Sequence, residues 1–378
     1  MARVSINPNV LRWAIADAGV ELAEISEETH KPLSLVEGWL SGEVEPHGGD
    51  LKVIAQVVGR SPLFFSLKNP PIRSLPSASF RKPIGRDAHE RPLSSVEQKF
   101  LRLAERQQKI AVWAAEKQGE DLLKLPPLHL SDEETAEAAR IWLQWSPDEQ
   151  VRASSKAGAF SALRNRVESR GVMVSLQDMG TDSCRGFSIP SSLIPMIVVN
   201  KSFKLGSVRS YTLLHELAHL IRGEEAVCDS PDDRTEKWCD KFAAVFLMPE
   251  DHLRRYSDKW LKKSWFEAND IDSVRRISKR YKASYHAVAI RLKELGMAGQ
   301  DLVDAVRRGQ LELPESGGGG GEPQTTPVIR LRQYGAVFTR LITTSVEHGD
   351  INPLDGQKYL DVARSEFLEM SSRVRRAE

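Results

Sequence analysis

Apolar residues recur at helical spacing along most of the chain and gather into short continuous runs in one region only. Residues 1–65 read as four or five short helices. NPNVLRWAIADAG stops at Gly19 and VELAEISEETH follows it. KPLSLVEGWLSG sets Leu35, Val36, Trp39 and Leu40 at helical spacing before Gly42, and LKVIAQVVGRSPLFF puts Leu51, Ile54, Ala55 and Val58 on one face. Gly just past the last periodic residue is a helix stop, and short helices on tight turns predict a helix-turn-helix unit. A strongly helical segment covers 94–118, and two more helices fall within 131–170. Three β-type runs come next, VMVSL (172–176), CRGFSI (184–189) and PMIVVN (195–200), bounded by Gly, Pro, Asp or Ser, which suits a small sheet. YTLLHELAHLIRGEE (211–225) and TEKWCDKFAAVFLMP (235–249) then read as two buried helices, the second stopped at Pro249. Residues 277–296 suit a compact helical or winged-helix tail, and helical patterning returns from Tyr334 to Val374.

The 378 residues, 40% hydrophobic and 28% charged, have ordinary globular composition and predict two or three domains. The predicted class is α+β, mostly helical, with a small three-stranded sheet flanked by helical domains. The partition runs 1–67 (helix-turn-helix-like), 68–125 (a Pro/Ser/Arg-rich connector with a long helix), 126–260 (the sheet and the two buried helices), 261–312 (helical), 313–328 (a Gly-rich linker) and 329–378 (helical). A net charge of +1 provides no global field for nucleic acid. The cysteines, Cys184, Cys228 and Cys239, have no framework spacing and read as reduced thiols. The N-terminus has no apolar core of a secretory signal and no segment reaches 18 apolar residues, so the expectation is a cytoplasmic protein with no membrane partner. Nothing in the pattern fixes an oligomeric state.

Two histidines four apart on a helix share a face, so His215 and His219 can hold one zinc ion together. Glu216, next to the first ring, is placed to act as general base. The flanks Leu213, Leu214, Leu220 and Ile221 make the helix apolar nearly all round, so its imidazoles need partners. A catalytic zinc takes a third protein ligand and keeps one open position. Arg222 and Glu225 stand where a metzincin has Gly and His, which excludes that class. Glu236, 17 residues after His219, is the better third ligand, with Asp240 on the same face to orient an imidazole. Glu224, Glu225 and Asp229 compete for the role but follow closely on His219. Imidazole and carboxylate donors also suit manganese and iron(II). The strand Ile197, Val198, Val199 and Asn200, just before the active helix, is expected at a sheet edge where a substrate strand could add.

Two resemblances extend this picture. LRWAIADAGVELAEISEETHKPLSLVEGWLSGEVEP resembles the Xre-type helix-turn-helix of phage repressors, with Lys31, Ser34 and Glu37 as its DNA- or partner-facing groups. Its chemistry departs from a DNA reader, because residues 1–70 hold 6 Lys+Arg against 9 Asp+Glu, a net of −3. SYTLLHELAHLI followed by EKWCDKFAAVFLMP resembles the ImmA/IrrE family of zinc metallo-endopeptidases, which commonly shows FTLAHELGH and then E-x-x-A-N-x-FAA-x-LLMP. Ala218, Cys239 and Asp240 depart from that pattern, and none removes a reacting group. The resemblance implies a zincin-like fold, His215, His219 and Glu236 as ligands, Glu216 as base, and a helix-turn-helix repressor as substrate in a phage, mobile-element or stress-response circuit. The competing functions are a DNA-binding regulator whose peptidase fold only senses, and a module that sequesters a repressor without cutting it. Neither has a use for Glu216.

Overall fold

The computed structural model describes residues 3–18, 20–58, 60, 62–70, 79–81, 93–223, 233–261, 269–309 and 325–376. Gly19, Cys228, the competing ligands Glu224, Glu225 and Asp229, and most of the Gly-rich linker lie outside the described residues. The chain divides into two compact units, one of residues 1–76 and 90–103, the other of residues 77–89 and 104–378.

The first unit holds α1 (Pro8–Ala18), α2 (Leu22–Thr29), α3 (Leu33–Ser41), α4 (Gly48–Val57) and a 3-10 turn, Pro62–Ser66. The apolar stripes of these helices meet in one core that buries Leu11, Ile25, Trp39, Ile54 and Phe65. Three residues join α2 to α3, and His30 takes a left-handed conformation there. The Ser26 hydroxyl donates to the Lys31 carbonyl at 2.6 Å and ties the turn to α2. α3 ends at Gly42, which is also left-handed, as its place in the pattern predicts.

In the second unit a short strand, β1 (Ser79–Arg81), precedes α5 (Ser95–Gln118), which begins in the first unit. Then come α6 (Asp132–Leu143), α7 (Pro147–Arg152) and α8 (Lys156–Ser169). Ser131, Ser146 and Ser155 cap these three, each accepting a backbone N–H three residues on. The three expected strands form as β2 (Met173–Gln177), β3 (Gly186–Ile189) and β4 (Met196–Asn200). β1 joins them at one side, giving the order β1-β3-β4-β2. β2 runs parallel to β4, while β3 is antiparallel to both β4 and β1.

This order overturns one expectation. Ile197, Val198, Val199 and Asn200 were expected at a sheet edge, but β4 pairs on both sides and all four residues are buried. Their backbone donors and acceptors already serve β2 and β3, so no substrate strand can add there. Asn200 has a structural task, donating from Nδ2 to the carbonyls of Gly180 and Cys184 at 2.8 and 2.9 Å.

α9 (Gly206–Arg222) and α10 (Asp233–Leu247) follow the sheet, then α11 (Glu250–Tyr256), a π turn at Ser257–Leu261, α12 (Ile271–Tyr281), α13 (Tyr285–Glu294) and α14 (Gln300–Gly309). No strand occurs among the described residues of this last stretch. α8, α9, α10 and the sheet share a core that includes Val174, Ile197, Leu213, Leu217, Phe242 and Phe246. No helix among the described residues is long and apolar enough to cross a membrane.

Two buried arginines and a glutamine hold the C-terminal end of α10, where helix carbonyls lack intrahelical donors. Arg140 donates to the Phe246 carbonyl, Gln150 Nε2 to the Leu247 carbonyl at 2.9 Å, and Arg291 Nε to the Met248 carbonyl at 3.2 Å. Burial pushes the Arg140 guanidinium down to about 9, so it still carries its charge at neutral pH.

The final helices are α15 (Thr326–Tyr334), α16 (Ala336–Glu347), α17 (Pro353–Leu360) and α18 (Arg364–Arg375). α15 lies along β2: the Ser175 hydroxyl donates to the Gln333 carbonyl at 3.1 Å and Arg164 to the Arg332 carbonyl at 2.7 Å. Gly335 makes the turn into α16 with φ +85°. A Cβ there would lie 2.0 Å from Glu168 Oε1 and 2.7 Å from the Val174 carbonyl oxygen. Glu168 cannot easily withdraw, since it faces Arg164 at 3.3 Å and accepts the Ala336 N–H at 2.9 Å. Gly335→Ala is expected to cost about 2–4 kcal/mol, combining backbone strain with a collision against main chain. Gly349→Ala, at φ +81° in open space, should cost the strain alone, about 1–2 kcal/mol. Urea unfolding followed by near-UV circular dichroism compares the two, and equal losses would show that Gly335 is not closely packed.

Candidate metal centre

α9 is helical because Leu, Ala and Glu dominate its centre, and it is buried from Thr212 to Ile221. His215 and His219 project from its α10 side, and Thr212 and Glu216 face β3. Close approach to β3 requires Gly186, where a Cβ would stand 2.6 Å from Thr212 Cγ2 and 2.7 Å from the Val198 carbonyl oxygen. Two residues along β3, Ser188 shares that face, and its hydroxyl donates to Glu216 Oε2 at 3.1 Å. Ser188 escaped the sequence reading. The signal was the G-F-S spacing, which sets a missing side chain and a hydroxyl on the same side of a strand.

α10 crosses α9 so that three donors converge. His215 Nε2 lies 3.2 Å from His219 Nε2 and 3.2 Å from Glu236 Oε2, and His219 Nε2 lies 3.3 Å from Glu236 Oε1. Among the described residues these are the one group of three side chains placed to hold a metal ion. Asp240, one turn along α10, accepts from His215 Nδ1 at 2.9 Å. The Tyr211 hydroxyl donates to the Asp240 carbonyl at 2.7 Å, a second tie between the two helices.

The donor set fits a tetrahedral zinc. Bonds of about 2.0–2.1 Å place neighbouring donors about 3.3–3.4 Å apart, close to the three separations here. His215 Nδ1 is engaged by Asp240, which aims Nε2 at Glu236 and His219, so a divalent ion at that point would meet all three donors at once. Glu236 is 36% exposed at its side chain while His215 is 1% exposed, so the cluster is anchored inside and open on the α10 side.

Electrostatics follow from this crossing. Burial raises the Glu236 carboxyl, but hydrogen bonds and charge from His215 and His219 outweigh it and hold the group well below the usual carboxylate range. Burial, then the charges of Glu236 and Glu216, push the Cys239 thiol far up, and Cys239 is not in the group placed to hold an ion.

Tyr211 is engaged with the Asp240 backbone, as above. His252 and Tyr256 belong to an aromatic cluster around Tyr281, whose hydroxyl lies 2.7 Å from His252 Nδ1. In the first unit Ser34 and Glu37 are exposed on α3, while Lys31 faces Asp50 at 3.9 Å.

Residues 167–293 match the Peptidase M78 family model, described as the IrrE N-terminal-like domain. The match spans β2 to β4, α9 and α10, and supports the ImmA/IrrE family for this region, a peptidase-like domain carrying a group able to hold a metal. No curated protein and no solved structure matches the chain.

His219→Ala and Glu236→Ala are expected to lose stoichiometric zinc, measured by plasma mass spectrometry after dialysis. Asp240→Ala keeps all three donors and should bind zinc about 10–100-fold more weakly, because nothing then fixes the His215 ring. Competition against a chromophoric chelator reads this directly. Parent-like affinity in Asp240→Ala would remove Asp240 from the site.

Proposed function

We propose that the chain is a zinc-dependent endopeptidase, acting in the cytoplasm, that cleaves a helix-turn-helix repressor and so relieves repression. The observation that carries the hydrolase reading is the convergence of His215, His219 and Glu236 beside a fully buried carboxylate, Glu216. The repressor as substrate is supported by the ImmA/IrrE likeness.

His215, His219 and Glu236 would hold the ion, and Asp240 would keep His215 turned toward it. When bound, a divalent cation supplies Lewis acidity to a scissile carbonyl and acidifies a nearby water. Glu216 would take a proton from the water as its oxygen attacks the carbonyl carbon, and return it to the amine nitrogen as the C–N bond breaks. The Ser188 hydroxyl holds one oxygen of the buried Glu216 carboxylate and so orients it.

The first unit would recruit the repressor and not DNA. Its α3 presents Glu37 and Ser34, its Lys31 is turned to Asp50, and residues 1–70 carry a net of −3. A phosphate backbone demands the opposite charge.

Glu216→Gln keeps the shape of the site and all three donors. It is expected to retain parent-like zinc content and lose cleavage by about 10²–10⁴-fold. Mass spectrometry of a purified helix-turn-helix repressor after incubation with zinc-loaded protein measures this. Parent-like turnover by Glu216→Gln would remove the proposed base.

A further inference from the structure

The sheet offers an extended peptide one approach to the site. β2 pairs only with β4 among the described residues, and α15 lies along its other side. β4 is enclosed. The side of β3 turned away from β4 is the remaining one, and β3 is the strand that reaches the proposed base through Ser188. That side is already paired. Residues Ser79, Phe80 and Arg81 run antiparallel along it, opposite Ser188, Phe187 and Gly186, and β1 also lies against α9. Ser188 binds Glu216, and at Gly186 a Cβ would already stand 3.6 Å from Glu216 Cγ, so β3 runs close by. A segment from the connector therefore occupies the register that faces the base.

We infer that β3 is the strand-docking edge for an extended peptide, and that Ser79–Arg81 is its resident occupant, which a substrate must displace. The inference rests on the hydrolase reading for what happens after docking, but not for docking itself. Three features support it. The pairing is antiparallel, so the peptide takes its affinity from main-chain hydrogen bonds and tolerates varied sequence. Among the described residues the pairing covers Ser79–Arg81 alone, fewer positions than a usual strand, and a longer strand would outcompete it. The segment also lies outside the unit that precedes it in the chain, grouped with the sheet and not with the first four helices. The fitting substrate is an unfolded or locally melted stretch, because a folded helix cannot offer a free strand edge.

In an antiparallel ladder only alternate residues direct their N–H at the partner. Phe80→Pro and the pair Ser79→Pro with Arg81→Pro therefore remove the two alternative donor sets, and one of the two variants must break the ladder. Each is made in the full chain, alone and combined with Glu216→Gln. The probe is a fluorescein-labelled synthetic peptide with the sequence of residues 75–85. Its anisotropy is followed on the Glu216→Gln proteins, where nothing is cut. The variant that breaks the ladder is expected to bind it about tenfold more tightly than the Glu216→Gln parent, the worth of one to two net backbone hydrogen bonds. Amides of residues 186–189 should exchange hydrogen faster in that variant, and excess peptide should restore their protection. With zinc-loaded protein and reduced, alkylated casein, KM should fall by a similar factor and kcat should stay unchanged. Parent-like peptide affinity and parent-like exchange in both proline variants would overturn the inference. Absence of casein cleavage in every protein, with the binding and exchange changes intact, would count against the hydrolase reading and leave the docking edge standing.

Discussion

Everything in the second unit answers to one constraint: polar groups must be buried on a helix that is otherwise apolar. From Thr212 to Ile221 α9 has no solvent to turn toward, yet it carries two imidazoles and a carboxylate. An unpartnered polar group in such a place costs roughly 2–7 kcal/mol, a large part of a domain's whole stability. The partners must come from other elements, which fixes where those elements can go. α10 must cross where Glu236 and Asp240 meet the rings, and β3 must pass where Ser188 meets Glu216. The crossing of α9 and α10 is therefore set by chemistry as much as by packing of Leu217, Phe242 and Phe246.

A crossing that must be accurate needs an anchor away from the site. Arg140, Gln150 and Arg291 supply one at the far end of α10, where three successive carbonyls would otherwise be stranded. These groups come from α6, α7 and α13, so helices from before the sheet and after α10 clamp one helix end between them. Gln150 Nε2 also reaches the Tyr281 carbonyl at 2.7 Å, drawing α12 into the same clamp. A buried arginine is expensive unless its donors are used, and here Arg140 reaches the carbonyls of Trp145 and Phe246 and Arg291 that of Met248. Such contacts survive side-chain substitution on α10, so the anchor does not depend on the residues that do the chemistry.

The parts of this arrangement legible in the sequence share a property: each is written within one element. The four-residue spacing of His215 and His219 encodes their common face, and the apolar flanks encode their burial. Glu236 and Asp240 share the same spacing on α10, and the structure turns that face toward the rings. What the sequence hides depends on neighbours. The expected edge at PMIVVN fails because a continuous apolar run is how an enclosed strand reads, since both its faces are covered and no alternation survives. A strand with one free side more often shows a charge or a proline. β1 could not be read at all, because three residues are too few to show a period and the Pro-rich surroundings suggest a linker. Ser188 looked like any strand serine until the sheet was laid on α9.

The sheet must also reconcile two demands on its outer strand. A peptidase that adds its substrate to a sheet needs a bare strand edge next to its catalytic group, but a bare edge will pair with any extended chain, including another copy of the protein. The second unit meets the hazard twice, with α15 along β2 and with Ser79–Arg81 along β3. The two covers differ in kind. α15 is locked by Gly335, by the Arg164–Glu168 pair and by hydrogen bonds from side chains of α8 and β2, so it cannot leave without unmaking buried contacts. Among the described residues β1 pairs over three positions on one side of one strand. A permanent cover beside a structural strand and a short cover beside the strand that touches Glu216 is the asymmetry expected if only one edge is meant to open.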